Sequence, residues 1–478
     1  MYSNRTPPLS PLLHLVGAVK KGKSRVLYGV SETFPVVAVV GLGPAEKTVD
    51  VLEERDEAKE AVRTAVAAGC RSLEEAGMSR IQVDPCGDAE AAAEGAHLAT
   101  FKYQELKAKK KPVPTLECLV KDNERSTFGN IVSVSEDKHE FNLGLDRGAV
   151  LAEGQNVARR LMETPANILT PTNFAQEAVN NLEGLGVEVL VRGYEWAKER
   201  NMNAFLSVTR GSVEPPVFLE LTYRGADYSE KPLAIVGKGV TFDTGGISLK
   251  PSANMDKMRA DMGGAACTIG SLLVAASLRL PINIKGFIPL CENMPGSSAT
   301  KPGDVVVASN GKSIQIDNTD AEGRLILADA LHYASQHKPR AMIDMATLTG
   351  AMAVALGAGA AGVFSNSSIL WQLMHRAGAT TGDRVWRMPL WKHYSSQVTD
   401  FGLADVHNLG KYSRDGGSCT AASFLQEFVT CDHWMHLDIA GVMENKDEVP
   451  YLGKGMSGRP TRTVAHFAEL LALGEGGI

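Results

Sequence analysis

Seven charged residues in two short segments of this chain have the types and spacing that metal-assisted chemistry needs. The first polar segment spans residues 238–261, and the second polar segment spans residues 318–324. The seven residues are Lys238, Asp243, Lys250, Asp261, Asp320, Glu322 and Arg324. Four carboxylates drawn into one cleft would repel one another, and divalent cations remove that repulsion. Oxygen ligands of this kind suit Mg²⁺, Mn²⁺ or Zn²⁺.

Two ions account for four carboxylates better than one ion does, because a single catalytic ion must keep a position open for water. A bridged pair of ions can activate a water and polarise a carbonyl together. The alternative is that Asp261 and Glu322 stabilise helix starts by ~0.3–1 kcal/mol each and bind no metal. Each residue alone is open to that interpretation, but the seven together favour a metal centre. We therefore predict that the two polar segments meet and hold two divalent ions.

The elements around the segments must bring them together. The apolar run Leu233–Val236 predicts a buried strand directly before the first polar segment. Strand-like and helix-like patterns alternate along the chain, which predicts an α/β fold with a mostly parallel, helix-covered central sheet. Ligands bind beyond the carboxyl edge of such sheets. The short run Phe205–Val208 is predicted as a further strand, and Asn310-Gly311 predicts a hairpin.

A length of 478 residues predicts two domains. We expect a small N-terminal α/β domain over residues 1–147 and a connecting helix over residues 148–167, ending near Pro165. A larger C-terminal catalytic domain should occupy residues 168–478.

The composition, 44% hydrophobic and 22% charged, describes a soluble globular protein. A net charge of −6 and a pI near 6.0 argue against nucleic-acid or membrane partners. The uncharged stretch Met345–Phe364 is rich in Ala and Gly, so we interpret it as a buried strand entering a glycine loop. The seven cysteines include no CxxC pair, which predicts neither disulfides nor a cysteine zinc site.

Three other patterns in the sequence bear on function or location. Residues 17–24 satisfy GxxxxGK[ST], but residues 25–28 look extended where phosphate binding requires a helix, so we predict a basic turn. No HExxH occurs, and His433 and His436 are interpreted as partly buried structural histidines. The first 31 residues contain no acid but several prolines. A cytoplasmic location is predicted, with a mitochondrial one left open.

The sequence resembles the leucine aminopeptidase family of two-metal cytosolic exopeptidases. The resemblance rests on GKGVTFDTGGISLKP in the first polar segment, NTDAEGR in the second, and the later HLDIAG. It extends from about Tyr28 to the end of the chain and is strongest over residues 233–352. Members of the family usually have an extra strand and helix before the part that matches Arg25–Val30. We therefore expect an N-terminal domain that is shortened at its start.

The resemblance implies a role for each metal ligand. Asp243 and Glu322 would contact both ions, and Asp320 would complete the looser, exchangeable site. Lys238 and Asp261 would complete the tighter site. A lysine ligand must be neutral, against an ordinary pKa of about 10.4, and a nearby dication is the natural cause of such a shift.

The resemblance also implies how the remaining charged residues act. Lys250 would stay charged and stabilise the oxyanion that grows from the scissile carbonyl. Arg324, with the backbone near Leu348, would hold a bicarbonate ion that acts as general base. The free α-amine of the substrate would bind the tight ion and Asp261, so only peptides with a free N-terminus would be cleaved.

By the same resemblance, a pocket for the first side chain of the substrate is expected. Its lining would be Met258, Thr347, Gly350, Ala440 and Met443. An apolar pocket with two thioethers suits leucine or methionine, although the same residue types are ordinary in protein cores.

The resemblance implies a homohexamer, a dimer of trimers. The alternatives are a catalytically silent structural relative, which should have lost at least one of Lys250, Arg324 or a metal-bridging carboxylate, and a two-metal phosphoesterase, which should carry more cationic or amide groups for phosphate.

Overall fold

The computed structural model describes residues 17–44, 49–119, 136–400 and 402–477, without the side chains of residues 136–143. Most of the first 31 residues, on which the targeting interpretation rests, therefore lie outside the described part. The chain divides into two compact units: Met1–Asn156 with Asn445–Lys454, and Val157–Glu444 with Gly455–Ile478. The return of a late segment to the first unit has no counterpart in the sequence pattern.

The first unit is a small α/β structure. Its strands are β1 Ser24–Tyr28, β2 Val36–Val40, β3 Val49–Asp50, β4 Arg55–Asp56, β5 Arg80–Val83 and β6 Thr115–Cys118, and its helices are α1 Glu57–Glu75 and α2 Ala89–Thr100. The pair β1–β2 is antiparallel and the pair β5–β6 is parallel. Val62 and Val66 of α1 pack in one core cluster with Ile81 of β5. Because β1 is extended from Ser24 onward, residues 17–24 lack the helix that a phosphate loop needs, and the predicted basic turn is confirmed.

The long helix α3, Glu136–Glu163, passes from the first unit into the second. The helices of the second unit that follow are α4 Pro171–Leu182, α5 Tyr194–Glu199, α6 Asn203–Thr209, α7 Gly263–Ser277, α8 Gly323–Gln336, α9 Gly350–Leu356, α10 Ser368–Thr381, α11 Lys392–Thr399, α12 Gly417–Gln426 and α13 Thr461–Ala472. Short 3₁₀ turns occupy Glu183–Leu185, Met255–Ala260 and Ala440–Val442.

The remaining strands build the central sheet and a smaller one. They are β7 Glu188–Arg192, β8 Val217–Arg224, β9 Leu233–Gly237, β10 Gly239–Asp243, β11 Asn283–Asn293, β12 Asp304–Val307, β13 Ser313–Ile316, β14 Ala341–Ala346, β15 Ala361–Ser365, β16 Val385–Arg387, β17 Val406–His407, β18 Trp434–Asp438, β19 Glu444–Asn445 and β20 Gly455–Met456.

The central sheet runs in the order β16-β15-β18-β14-β9-β11-β8-β7, with β10 also paired to β11. The inner strands β18, β14, β9 and β11 are mutually parallel. Antiparallel partners lie toward the edges, where β8 pairs with β11 and β15 with β18. The predicted α/β fold with a mostly parallel sheet is confirmed, and the sheet is mixed at its margins.

Buried apolar elements hold this sheet in place. Strand β9 is buried at every position, as its uninterrupted apolar run predicts. The stretch Met255–Ser277, which includes α7, is long and apolar enough to cross a membrane, but its most apolar 18-residue window is 94% buried inside the protein, as in a core helix. Residues 345–364 form the end of β14, the short helix α9 and most of β15, so the strand interpretation is correct and the helix was missed.

The prediction for Phe205–Val208 is wrong, because these residues lie in helix α6. A run of four apolar residues does not distinguish a strand from one turn of a buried helix. Here the amide of Phe205 at the start of the helix donates to Asp329 Oδ2 at 2.9 Å, a contact far away in sequence. The predicted hairpin is confirmed: β12 and β13 are antiparallel, and Gly311 has the left-handed φ of +88° that their tight turn requires.

Candidate metal centre

The first polar segment leaves the carboxyl edge of the central sheet. Strands β9 and β10 flank Lys238, and Asp243 is the last residue of β10. The chain then turns through Gly245 and Gly246, whose φ values of +87° and +68° are left-handed and favour glycine. The 3₁₀ turn Met255–Ala260 then leads directly into Asp261. Local geometry thus returns Asp261 to the edge that Lys238 and Asp243 occupy.

The second polar segment lies between β13 and α8 and joins the first through direct hydrogen bonds. The Ser248 amide donates to Thr319 Oγ1 at 2.8 Å, and the Thr319 hydroxyl donates to Gly245 O at 2.6 Å. Asn293, at the end of β11, donates through Nδ2 to Asp243 Oδ1 at 2.7 Å and to Thr319 O at 3.0 Å. The two segments therefore meet at one sheet edge.

The four carboxylates form a cluster with two lysines, in which Asp320 is half-buried and the other three carboxylates are buried. Lys238 Nζ lies 2.7 Å from Asp261 Oδ2 and 2.8 Å from Glu322 Oε1. Lys250 Nζ lies 2.7 Å from Asp243 Oδ2 and also pairs with Asp320. The carboxylate oxygens of Asp243, Asp320 and Glu322 that could serve as ligands lie within 4.8 Å of one another. Each lysine thus bridges two carboxylates.

Helix capping does not account for the acidic residues. Helix α7 begins at Gly263 without a side-chain cap, and the Asp261 carboxylate instead accepts from Thr347 Oγ1 at 2.7 Å. Helix α8 begins directly after Glu322, again without a side-chain cap. Neither residue therefore acts as a side-chain cap, whereas the helix-dipole part of the structural alternative is not tested by these contacts.

Burial and mutual repulsion disfavour the ionised form of most carboxylates in this cluster. Burial, followed by the charge of Glu322, raises the pKa of Asp243 to about 6. Burial also raises the pKa of Asp261 and of Asp320. Burial opposes ionisation of Glu322 too, but Lys238 and Lys250 outweigh it and its pKa is lowered. Additional positive charge would therefore stabilise the ionised carboxylates of this cluster.

The residues present fit divalent cations. One buried oxygen on each of Asp261, Asp320 and Glu322 accepts no aligned hydrogen bond from any described residue, although it lies at ion-pair distance from a lysine. Carboxylate oxygens and one amine are suitable ligands for Mg²⁺, Mn²⁺ or Zn²⁺. Burial disfavours the Lys238 ammonium, but the surrounding carboxylates outweigh burial and raise its pKa. A dication must therefore displace a proton from Lys238 to gain it as a ligand.

Arg324 presents an unused donor beside the cluster. Its side chain is 6% exposed, and its Nη1 donates to Asn408 O at 2.7 Å. Its Nε is buried and has no acceptor among the described residues. Burial lowers the Arg324 pKa to about 10, so the guanidinium stays charged at neutral pH. A buried, charged donor without an acceptor is a suitable partner for an anion.

Asn408 holds the second polar segment and was not found from the sequence. Its Oδ1 accepts from the amides of Asp317 and Asn318 at 2.9 and 3.3 Å, and its Nδ2 donates to Asn318 O at 2.6 Å. Asn408 follows β17 in a stretch without periodic pattern or motif, so no signal marked it. Asn293 carried a weak signal, because it ends a strand at the ligand-binding edge.

The residues expected around the substrate pocket fall on three short segments. Thr347, Leu348 and Gly350 follow β14, and Thr347 O accepts from Lys238 Nζ at 2.9 Å. Ala440 and Met443 follow β18, and Met258 lies in the 3₁₀ turn before Asp261. A Cβ at Gly441 would lie 2.1 Å from Gly357 O, so the Ala440–Val442 turn packs closely against the end of α9.

The histidines near β18 are not part of the acidic cluster. His433 is half-buried and its Nδ1 pairs with Ser367 Oγ at 3.0 Å. His436 is fully buried rather than partly so, and its Nδ1 pairs with Asp344 Oδ1 at 2.5 Å. All seven cysteines are free, as predicted.

The fold and this cluster together define an α/β protein with a candidate site for divalent cations at the edge of a largely parallel sheet. Comparison with known proteins identifies the family. The catalytic-domain model of the cytosol aminopeptidase family matches residues 156–465, and its N-terminal-domain model matches residues 12–110. The chain belongs to the cytosol aminopeptidase family, and it is accordingly a metal-dependent aminopeptidase, a hydrolase that acts on peptides.

Individual relatives agree with this assignment. The chain is 57% identical to the cytosol aminopeptidase of Xenopus tropicalis over 458 residues, 95% of this chain and 85% of that protein. It is 56% identical to the Bos taurus cytosol aminopeptidase over 463 residues, 96% and 86% of the two chains. The structure of the bottromycin maturation enzyme BotP in complex with Mn is similar with a TM-score of 0.84, 32% identity and 96% coverage of each chain.

Proposed function

We propose that this aminopeptidase prefers leucine and other apolar residues at the N-terminus of its substrates and works with two divalent ions and bicarbonate. One observation carries the metal part of the proposal: two lysines bridge four carboxylates from two remote segments in one largely buried cluster. The arrangement leaves ligand oxygens without aligned donors, as a site for cations requires.

We assign the ligands from the resemblance and this geometry together. Asp243 and Glu322 would be shared between the ions, with Lys238 and Asp261 on the tighter side and Asp320 on the looser side. Asp320 is the most exposed of the four carboxylates, which supports its place at the exchangeable site. When bound, the ions, whether Zn²⁺, Mn²⁺ or Mg²⁺, would supply an activated water and polarise the scissile carbonyl.

Lys250 is proposed to stabilise the oxyanion. Its side chain is 21% exposed, whereas that of Lys238 is 3% exposed, so Lys250 is the lysine that an entering substrate can reach. Burial disfavours its charge, but Asp243 and its neighbours outweigh burial and raise its pKa. The ammonium is therefore charged before substrate arrives, as stabilisation of a developing negative charge requires.

Arg324 is proposed to hold bicarbonate as the general base. Its unused Nε supports this role, because a bicarbonate oxygen would satisfy that donor. The nearby carboxylate of Asp438 is not available as a base, because it already accepts from the Thr349 hydroxyl and from backbone amides. An external base therefore suits this centre.

The amine of the substrate would be held near Asp261, and its first side chain would enter the pocket of Met258, Thr347, Gly350, Ala440 and Met443. The half-buried Met443 packs against the main apolar core, which supports an apolar floor of the pocket.

We further propose a homohexamer, a dimer of trimers, and a cytoplasmic location. A mass near six times 51.1 kDa by light scattering is expected.

Hydrolysis of leucyl-p-nitroanilide tests the proposal. The purified protein should release nitroaniline, lose the activity when chelated, and regain it with Zn²⁺ or Mn²⁺. It should leave N-acetyl-leucyl-p-nitroanilide and p-nitrophenyl phosphate intact. Hydrolysis of the phosphate ester alone would favour the phosphoesterase alternative, and no hydrolysis of either by the metal-loaded protein would favour the silent relative.

A further inference from the structure

Asp438 is a fully buried carboxylate that the proposed mechanism leaves without a role. It is the last residue of β18 and lies opposite Ala346, the last residue of the neighbouring parallel strand β14. It belongs to the HLDIAG sequence that contributes to the family resemblance. Burial raises its pKa, so an ionised carboxylate here must be stabilised by its surroundings.

The donors to Asp438 come from the segment after β14 and from the segment after β18. Oδ2 accepts from the Thr349 hydroxyl at 2.5 Å. Oδ1 accepts from the amides of Leu348 and Thr349 at 3.3 and 3.4 Å and from the amide of Ala440 at 3.2 Å. One carboxylate therefore ties the segment after β14 to the segment after β18. These segments carry Thr347, Gly350, Ala440 and Met443, four of the five proposed pocket residues.

The segment that Asp438 holds also contacts the metal centre. Thr347 O accepts from Lys238 Nζ at 2.9 Å, and Thr347 Oγ1 donates to Asp261 Oδ1 at 2.7 Å. Thr347 directly precedes Leu348, and the amide of Leu348 donates a hydrogen bond to Asp438. The charge of Asp438 also favours the charged state of the buried Arg324. Movement of Asp438 would thus displace the pocket, the ligand pair Lys238 and Asp261, and the anion site together.

A buried polar network on β14 and β18 lies close to Asp438. Asp344 on β14 accepts from Trp434 Nε1 at 2.8 Å and pairs with His436 Nδ1 at 2.5 Å. His436 precedes Asp438 by two residues on β18, so both side chains point to the same face of the strand. His436 favours the ionised form of Asp438. The three supporting residues are fully buried, and His436 Nε2 has no hydrogen-bond partner among the described residues.

We infer that Asp438 is a positioning residue for this reaction: it fixes, through Thr349 and the amides of Leu348 and Ala440, the walls of the first side-chain pocket and the anion site beside Arg324. The inference rests on the proposed leucine preference and the proposed use of bicarbonate. Asp438 touches neither substrate nor metal in this scheme and acts only through the segments that it holds.

The test compares Asp438→Asn and Thr349→Val with two matched controls. Asp329→Asn changes another fully buried carboxylate that accepts backbone amides, from Phe205 and Ser309, and Thr381→Val removes another buried hydroxyl. Metal content, unfolding temperature, kcat and KM for leucyl and alanyl p-nitroanilides, and the bicarbonate concentration for half-maximal activation are measured on the metal-loaded full chain.

Asp438→Asn and Thr349→Val should keep their metal ions and lose about 10²-fold in kcat/KM, because a small displacement of reacting groups has a cost of that order. Half-maximal activation should need about tenfold more bicarbonate, and the preference for leucyl over alanyl substrate should narrow. Thr349→Ser should restore both properties to within about threefold, because serine keeps the hydroxyl. The two controls should alter only the unfolding temperature.

Parent-like bicarbonate response and leucyl preference in both Asp438→Asn and Thr349→Val would overturn the inference. If Asp438→Asn does not fold, the contrast between Thr349→Val and Thr349→Ser decides, and equal activity of these two variants would overturn it. Failure of the proposed function is separate: the parent would then show no leucyl preference or no bicarbonate response. In that case a parent-like kcat/KM in Asp438→Asn still overturns the positioning role, and a 10²-fold loss with retained metal supports it.

Discussion

The amide of Ser248 donates to Thr319 Oγ1 at 2.8 Å, and the amide of Thr319 donates back to Ser248 Oγ at 3.2 Å. This reciprocal pair joins the first polar segment to the second, although 71 positions separate the two residues. It sets Lys250, two positions after Ser248, against Asp320, the residue after Thr319. The acidic centre therefore depends on the register of two loops as well as on its charged residues.

Replacing Lys250 by Ala should lower kcat by about 10²–10³-fold, the range measured when one oxyanion donor is removed. Metal content should change little, because in our assignment Lys250 is not a ligand. Glu322→Ala should instead empty at least one metal site, because it removes a shared carboxylate. Kinetics with leucyl-p-nitroanilide and metal analysis of both variants make the comparison, with exposed Lys198→Ala as control. Equal metal loss in the two variants would contradict these roles.

Replacing Gly323 by Ala should disturb the tight site. A Cβ at Gly323 would lie 2.7 Å from Lys238 Cε, and Lys238 has little freedom to move because it contacts Asp261, Glu322 and Thr347 O. We expect loss of about one metal ion per chain and at least tenfold lower activity. Gly184→Ala is the matched control, since its Cβ would meet nothing within 4 Å. Full metal occupancy in Gly323→Ala would show that Lys238 is not a ligand.

Replacing Asn408 by Ala should loosen the second polar segment. The change removes the side-chain bonds to the amides of Asp317 and Asn318 and to Asn318 O, at about 1–3 kcal/mol for buried groups left unpaired. The exchangeable metal should bind more weakly, which a titration of the apoprotein measures. Asn283→Ala removes a similar set of loop contacts to Ala226, Asp227 and Glu230 elsewhere and should leave metal affinity unchanged. A metal affinity in Asn408→Ala equal to that of the parent would refute the prediction.

His97 should make the stability of the first unit depend on pH. Burial lowers its pKa from the ordinary 6.5 to about 4, so the fold favours the neutral ring. Its contribution is fully present above pH 6.5 and is lost as the pH falls toward 4, because the unfolded chain takes up the proton first. The loss should amount to about 1–3 kcal/mol. Denaturant unfolding of His97→Gln and of the parent at pH 7 and pH 4.5 isolates this effect, and parallel losses in the two proteins would contradict it.

Local patterns in the sequence were enough for the fold class and for the residue types of the candidate centre. The apolar run of β9 and the glycines after Asp243 are local features, and local backbone preferences produce the buried strand and the left-handed turn that follows it. The types of the charged residues likewise indicated divalent cations, because the metals that a side chain prefers follow from its ligand atoms and not from its tertiary contacts.

Tertiary structure decided what those patterns left open. Phe205–Val208 lies in a helix whose first turn donates to a distant carboxylate, Asp329, and a four-residue pattern carries no information on such a partner. The sequence alone determined which groups could bind cations and where strands and turns would form. Only the packed fold decided that Asp261 and Glu322 face Lys238 rather than cap helices, and that Asn408 and Asp438 hold the loops. The physical reason is that, apart from the pair Lys238 and Asp261, these contacts join residues 84 to 91 positions apart, and their alignment depends on strand order in the sheet.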